Sequence, residues 1–227
     1  MSKKNDGPLP ESKELLDTLL TETQKEIVER AIKEIKENPE SYNIDFFWEL
    51  DASIGGVGGY CMPFDSTSNP FPTGIGRSLF RPLQYAASYI ESNKDIHNNA
   101  RWVVLNSGLH LEAVAKYMIQ KFTSSVNPAR YKKLTLGQSV GELDKRKVLP
   151  QNLIEPLKVF VKLYNKSKHE VNQDEERKRL FSPADSLIGY ISARILGKEF
   201  LKPYYPEILE SIEEKYLNGL KGLNMNL

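Results

Sequence analysis

The sequence predicts an all-α protein, a helical bundle of five to seven helices carrying one irregular, aromatic and Gly/Pro-rich insertion. Two observations lead there. Apolar residues recur at helical spacing in several long segments on both sides of residues 38–75. The strongest chain breakers are concentrated in that one interval, which holds Gly55, Gly56, Gly58, Gly59, Pro63, Pro70, Pro72 and Gly74.

Residues 1–10 read as a flexible lead. In 11–37, Leu16, Leu20, Thr23, Ile27, Ala31 and Ile35 follow one helical face, and Pro39 ends the pattern. Glu26 with Arg30 and Glu29 with Lys33 add favourable pairs one turn apart. The interval 38–75 also carries Tyr42, Phe46, Phe47, Trp48, Tyr60, Phe64 and Phe71. So many aromatics argue against a disordered linker and for an ordered cover packed on helices. Short strands are expected near 45–50 and 58–62. From residue 76 the helical period resumes, over 77–92 and then over 96–122. The second of these has a stripe running from Ala100 through Val103, Val104, Ser107 and Leu111 to Phe122. Gly108 is a candidate kink in it. A short helix is expected at 136–146 and a strong one at 151–170. Ser182-Pro-Ala-Asp185 has the order of a helix start, with Gly197 as its expected end. A last helix is expected over 206–220. As domains, the chain divides into the lead at 1–10, the N-terminal helix with the insertion at 11–75, and the bundle at 76–227, all within one compact unit.

The totals limit the function classes. A formal charge of +1 over 227 residues gives no strong field toward nucleic acid or membrane, so any basic site is local. Cys61 stands alone and cannot form an internal disulfide, which makes a cytoplasmic setting the expectation. No secretory leader and no membrane-spanning run is read, and no membrane partner is expected. The Gly55–Gly59 run is followed by Tyr-Cys-Met-Pro and not by a helix start, and it lacks the lysine of a phosphate loop. Three scattered histidines and one cysteine make no metal pattern. No cofactor is therefore expected. His97 reads as a surface or capping residue, His110 lies beside the apolar stripe, and Glu112 with Lys116 reads as a surface pair.

The helix at 151–170 has two distinct sides. Leu153, Leu157, Phe160, Val161 and Tyr164 form the apolar one. Lys158, Lys162, Asn165 and His169 follow at i, i+4, i+7 and i+11, with Lys166 alongside. Asn165 and His169 lie about 40° apart around the helix. A lysine stripe alone is an ordinary solvated face. The imidazole at its end adds a group able to exchange protons near neutrality beside cations that suit a phosphate.

This pattern resembles the signature of the HEPN superfamily: an arginine, a polar residue that is often asparagine, a few further residues and then a histidine at the end of a long helix. Asn165 and His169 match the polar position and the histidine, and Tyr164 stands where the arginine would be. Residues 108–118, 134–143 and 182–200 are similar, in that order, to the family's other core segments. The resemblance implies an all-helical homodimer of the kind found in toxin–antitoxin, phage-defence and RNA-processing systems. In active members two motifs meet across a dimer cleft, the histidine assists attack of a 2′-hydroxyl on the adjacent phosphodiester, and the arginine stabilises the charged transition state. A catalytic version here would be a metal-independent endoribonuclease. His169 would be the base, Asn165 would orient substrate or the imidazole, and Lys158, Lys162 and Lys166 would contact phosphate. Without the arginine's charged fork, a degenerate site is the expectation. The competing expectation is a non-enzymatic binding module that takes a protein or ligand through the 42–75 insertion.

Overall fold

The computed structural model describes residues 7–54, 75–91, 96–122, 131–169 and 180–202. These residues contain eight α-helices and no strand: α1 Pro10–Thr18, α2 Glu22–Glu37, α3 Asp45–Ile54, α4 Ile75–Glu91, α5 Ile96–Phe122, α6 Leu136–Lys145, α7 Gln151–His169 and α8 Pro183–Leu201. The all-α expectation holds. The Gly55–Gly59 run, Cys61, the strand expected at 58–62 and the helix expected at 206–220 lie outside the described residues.

The core is built around α5 and α8. α8 is apolar nearly all round, and Leu187, Ile188, Tyr190, Ile191, Ala193 and Leu196 are completely buried. A helix with no polar face has to lie inside the protein. α5 packs on α4, α6, α7 and α8. The α5–α8 contact runs parallel. The Ser186 hydroxyl donates to the Ala100 carbonyl (3.3 Å), Gly189 faces Val104 and Gly197 faces His110. Small side chains on α8 set this close approach.

Three expectations about elements change. Residues 11–37 form two helices, because Thr21 starts a second one. Its hydroxyl accepts from the Gln24 N–H (3.3 Å) while the Gln24 side chain accepts from the Thr21 N–H (3.0 Å). Residues 45–50 belong to a helix and not to a strand. The Asn43 side chain accepts from the Asp45 N–H (2.9 Å), and Phe47, Leu50 and Ile54 are buried at helical spacing. Gly197 does not end α8, which runs four residues further. It is a point of contact: a Cβ there would stand 2.4 Å from His110 Nε2.

Polar groups inside the bundle join distant segments. Arg194 Nε donates to Asp51 Oδ1 at 2.5 Å and Nη2 donates to the Asp51 carbonyl at 3.2 Å, both deeply buried. Lys198 donates to the Ile54 carbonyl at the end of α3 (2.7 Å). Phe47 and Trp48 pack against Tyr190. At the other end of α8, the Asp185 carboxylate accepts from the Leu9 N–H (2.7 Å), the Ser12 hydroxyl (2.6 Å), and the Ser182 N–H and hydroxyl (both 2.8 Å). The chain is therefore anchored from Leu9 onward. Burial pushes the Asp185 carboxyl above the ordinary range, against the pull of those four donors.

His110 is also internal. Its Nδ1 lies 2.7 Å from the Leu79 carbonyl. A carbonyl only accepts, so the proton sits on Nδ1. Burial pushes this imidazole down to about 4, and the Arg194 charge acts in the same direction. The ring is a neutral core donor packed on Phe80 and Gly197.

Candidate functional site

α7 starts after the exposed Pro150 and carries Pro156 within its second turn. Its inner side, Leu153, Ile154, Leu157, Phe160, Leu163 and Tyr164, is buried. Lys158, Lys162, Asn165 and His169 are all exposed on its outer side. They fall within an arc of about 60° and span roughly 16 Å along the axis. Lys166 is at the edge of this face, half-buried. The expected polar stripe is thus one continuous solvent-facing strip ending in the imidazole.

Its charges are partly answered from within the chain. Lys158 Nζ lies 2.8 Å from Glu155, and Lys166 Nζ lies 2.7 Å from Glu11 of α1. Lys162 makes no ion pair among the described residues. The Lys158–Glu155 pair is exposed and exchanges readily with solvent, whereas the Lys166–Glu11 pair is partly buried, so Lys158 and Lys162 are the cations the strip leaves open to an anion.

Tyr164 is where the motif arginine would be, and it is completely buried. Gly108 makes room for it: a Cβ on Gly108 would stand 2.0 Å from Tyr164 Cδ2 and 2.4 Å from Cγ. The expected kink residue is therefore a contact residue. The phenol O–H donates to Glu112 Oε2 (3.2 Å), and Lys168 Nζ lies 4.3 Å from the ring centre. Burial, with the Glu112 charge beside it, pushes the phenol far above its ordinary range and keeps it a neutral donor.

Glu112 is more than a surface partner of Lys116. It also accepts from Lys168 (3.2 Å) and from the Leu136 N–H at the start of α6 (3.3 Å), besides the Lys116 bond at 2.8 Å. Burial pushes its carboxyl up, but the two lysines outweigh this and hold it below the ordinary range. α5, α6 and α7 are joined at this carboxylate.

A guanidinium does reach the end of α7, from α5. Arg101 Nε donates to the Ser167 carbonyl (2.7 Å) and Nη2 donates to the Lys168 carbonyl (3.4 Å). These are carbonyls of the last turn, which have no partner inside the helix. Arg101 thereby fixes the segment that ends in His169. Nothing in the local pattern around residue 101 marks this partner, which is 66 positions away in the chain.

No family model, curated protein or solved structure matches this chain.

Chemically, the strip offers exposed cations, an amide and an imidazole. The residue before Asn165 on α7, Tyr164, is a buried phenol. Among the described residues no three metal-ligating side chains are gathered, and no helix is long and apolar enough to cross a membrane. The aromatics expected to display a binding surface at the start of the insertion are packed inward: Tyr42 and Phe47 are buried, and Phe46 and Trp48 lie against the core. The Tyr42 hydroxyl donates to the Ile90 carbonyl (2.5 Å).

Proposed function

We propose that this chain is a HEPN-like helical protein that binds RNA through the outer face of α7 and does not cleave it. One observation carries the reading. Lys158, Lys162, Asn165 and His169 share one exposed strip, while Tyr164, at the position of the motif arginine, is completely buried. The first half is what phosphate binding needs: cations and hydrogen-bond donors repeated along a helix. The second half takes away the charge-assisted contact that stabilises a phosphorane-like transition state. Arg101 does not replace it, because its guanidinium is bound to α7's own carbonyls. On this reading the working form is a cytoplasmic homodimer that brings two α7 ends together, within a toxin–antitoxin or phage-defence setting.

The experiment has two arms. In metal-free buffer, wild type and His169→Ala are incubated with a mixed RNA pool, and neither degrades it above background. In a binding titration, Lys162→Glu weakens RNA affinity about five- to tenfold across unrelated sequences and lowers the salt slope by roughly 0.7 to 0.9 per lost contact. Cleavage by wild type that is lost in His169→Ala contradicts the non-catalytic part. An unchanged affinity in Lys162→Glu contradicts the binding part.

A further inference from the structure

Trp102 is 43 % exposed, in a helix whose other large apolar residues are mostly in the core. Single exposed apolar residues are common and by themselves indicate nothing. Two facts in combination set this one apart. The Arg101 guanidinium lies over its ring, 5.1 Å from the centroid. The same guanidinium is bound to the Ser167 and Lys168 carbonyls. It therefore links the indole to the last turn of α7, directly beside His169. An exposed aromatic ring tied through Arg101 to the end of a helix that carries a cationic strip supplies the two parts of a single-strand binding site, one for bases and one for the backbone.

We infer that Trp102 is a stacking platform for an unpaired base, so that the protein selects single-stranded over duplex RNA. This rests on the RNA reading of the α7 face. Lys162 and His169 take the phosphates, and the base between them and α5 lies on the indole. In a duplex the base faces are already stacked on one another and cannot reach the ring, whereas the phosphates remain available to α7. Discrimination between the two forms then comes from Trp102, and general affinity comes from α7.

The test uses the full chain and fluorescence anisotropy at fixed salt. One probe is a labelled oligouridylate of roughly 12 nucleotides and the other is a blunt RNA duplex of the same length. Wild type binds the single strand about tenfold more tightly than the duplex, the loss expected from one base stack. Trp102→Ala removes that preference and leaves duplex affinity unchanged. Trp102→Leu, with apolar bulk but no π-face, behaves like Trp102→Ala, and Trp102→Phe retains most of the preference. Lys162→Glu weakens both probes together. If single-strand affinity in Trp102→Ala and Trp102→Leu stays within twofold of wild type, or wild type binds the two probes equally, the platform is overturned and the α7 reading stands. If wild type binds neither probe, both are overturned.

Discussion

Replacing Gly108 with alanine sets two effects of opposite sign against each other. In the interior of a long helix, alanine is favoured over glycine by about 1 kcal/mol. Propensity alone therefore predicts a more stable protein. The structure predicts the reverse. The new Cβ would stand 2.0, 2.4 and 2.5 Å from three carbons of the Tyr164 ring. Carbon atoms in contact normally sit about 3.5–4.0 Å apart, so the overlap exceeds about 1 Å at each of them. The ring has nowhere to go. It is completely buried, its hydroxyl is held by Glu112, and Lys168 lies over its face. Overpacking of this kind costs about 1–3 kcal/mol and occasionally more. Overlap with three fixed atoms lies at the upper end, leaving a net loss of about 2 kcal/mol after the propensity gain. Tyr164→Ala alone should cost about 3–5 kcal/mol, as other buried aromatic truncations do. In the double variant the alanine methyl enters the space left by the ring and the whole overpacking cost disappears while the propensity gain remains, so the double loss falls short of the sum of the singles by about 3 kcal/mol. Urea denaturation followed by circular dichroism at 222 nm measures all three. A stabilised Gly108→Ala, or additivity within about 0.5 kcal/mol, would refute the placement of Tyr164 on Gly108 and with it the burial of the motif position.

Other regions give sharper single outcomes. His110 has its imidazole held down at about 4, against an ordinary 6.5, so between those pH values the unfolded chain takes up a proton that the folded chain refuses. Stability is fully present above pH 6.5 and falls by about 3 kcal/mol as pH drops toward 4. In His110→Asn, which keeps a donor for the Leu79 carbonyl, that share of the pH dependence disappears, and denaturation curves at pH 7 and pH 4 show it. Asp51→Leu leaves the buried Arg194 without its carboxylate and should cost about 3–5 kcal/mol, while Asp51→Leu with Arg194→Met costs less than either single change. Glu11→Gln releases Lys166 from its partner. Stability should change by less than about 1 kcal/mol, and RNA affinity in the anisotropy assay should rise a few-fold.

What the sequence made legible follows from how local each signal is. The limits of α5 and the Ser182–Asp185 start of α8 are visible because period and capping residues lie within a few positions of one another. The outer strip of α7 and the inward side of Tyr164 are visible for the same reason. The break at Leu19–Thr21 is also local, through Thr21 and Gln24, but apolar residues continue in phase across it and hide it. α3 is obscured by the breakers that follow at 55–74, although Phe47, Leu50 and Ile54 already have helical spacing. Gly197 and Gly108 look like an end and a kink because a sequence gives a glycine's conformational freedom and not the side chain packed on it. Glu112 and Arg101 find their decisive partners 52 and 66 residues away, so no window around either residue contains the contact.

The RNA-binding role proposed for the outer face of α7 is open to a direct measurement. Titrating an unlabelled single-stranded RNA into ¹⁵N-labelled protein and following amide shifts tests it residue by residue. Changes are expected along Lys158, Lys162, Asn165 and His169 and around Arg101 and Trp102, with amides of α2 and α3 unmoved. Shifts centred away from α7, or none at RNA concentrations that saturate the anisotropy signal, would contradict it.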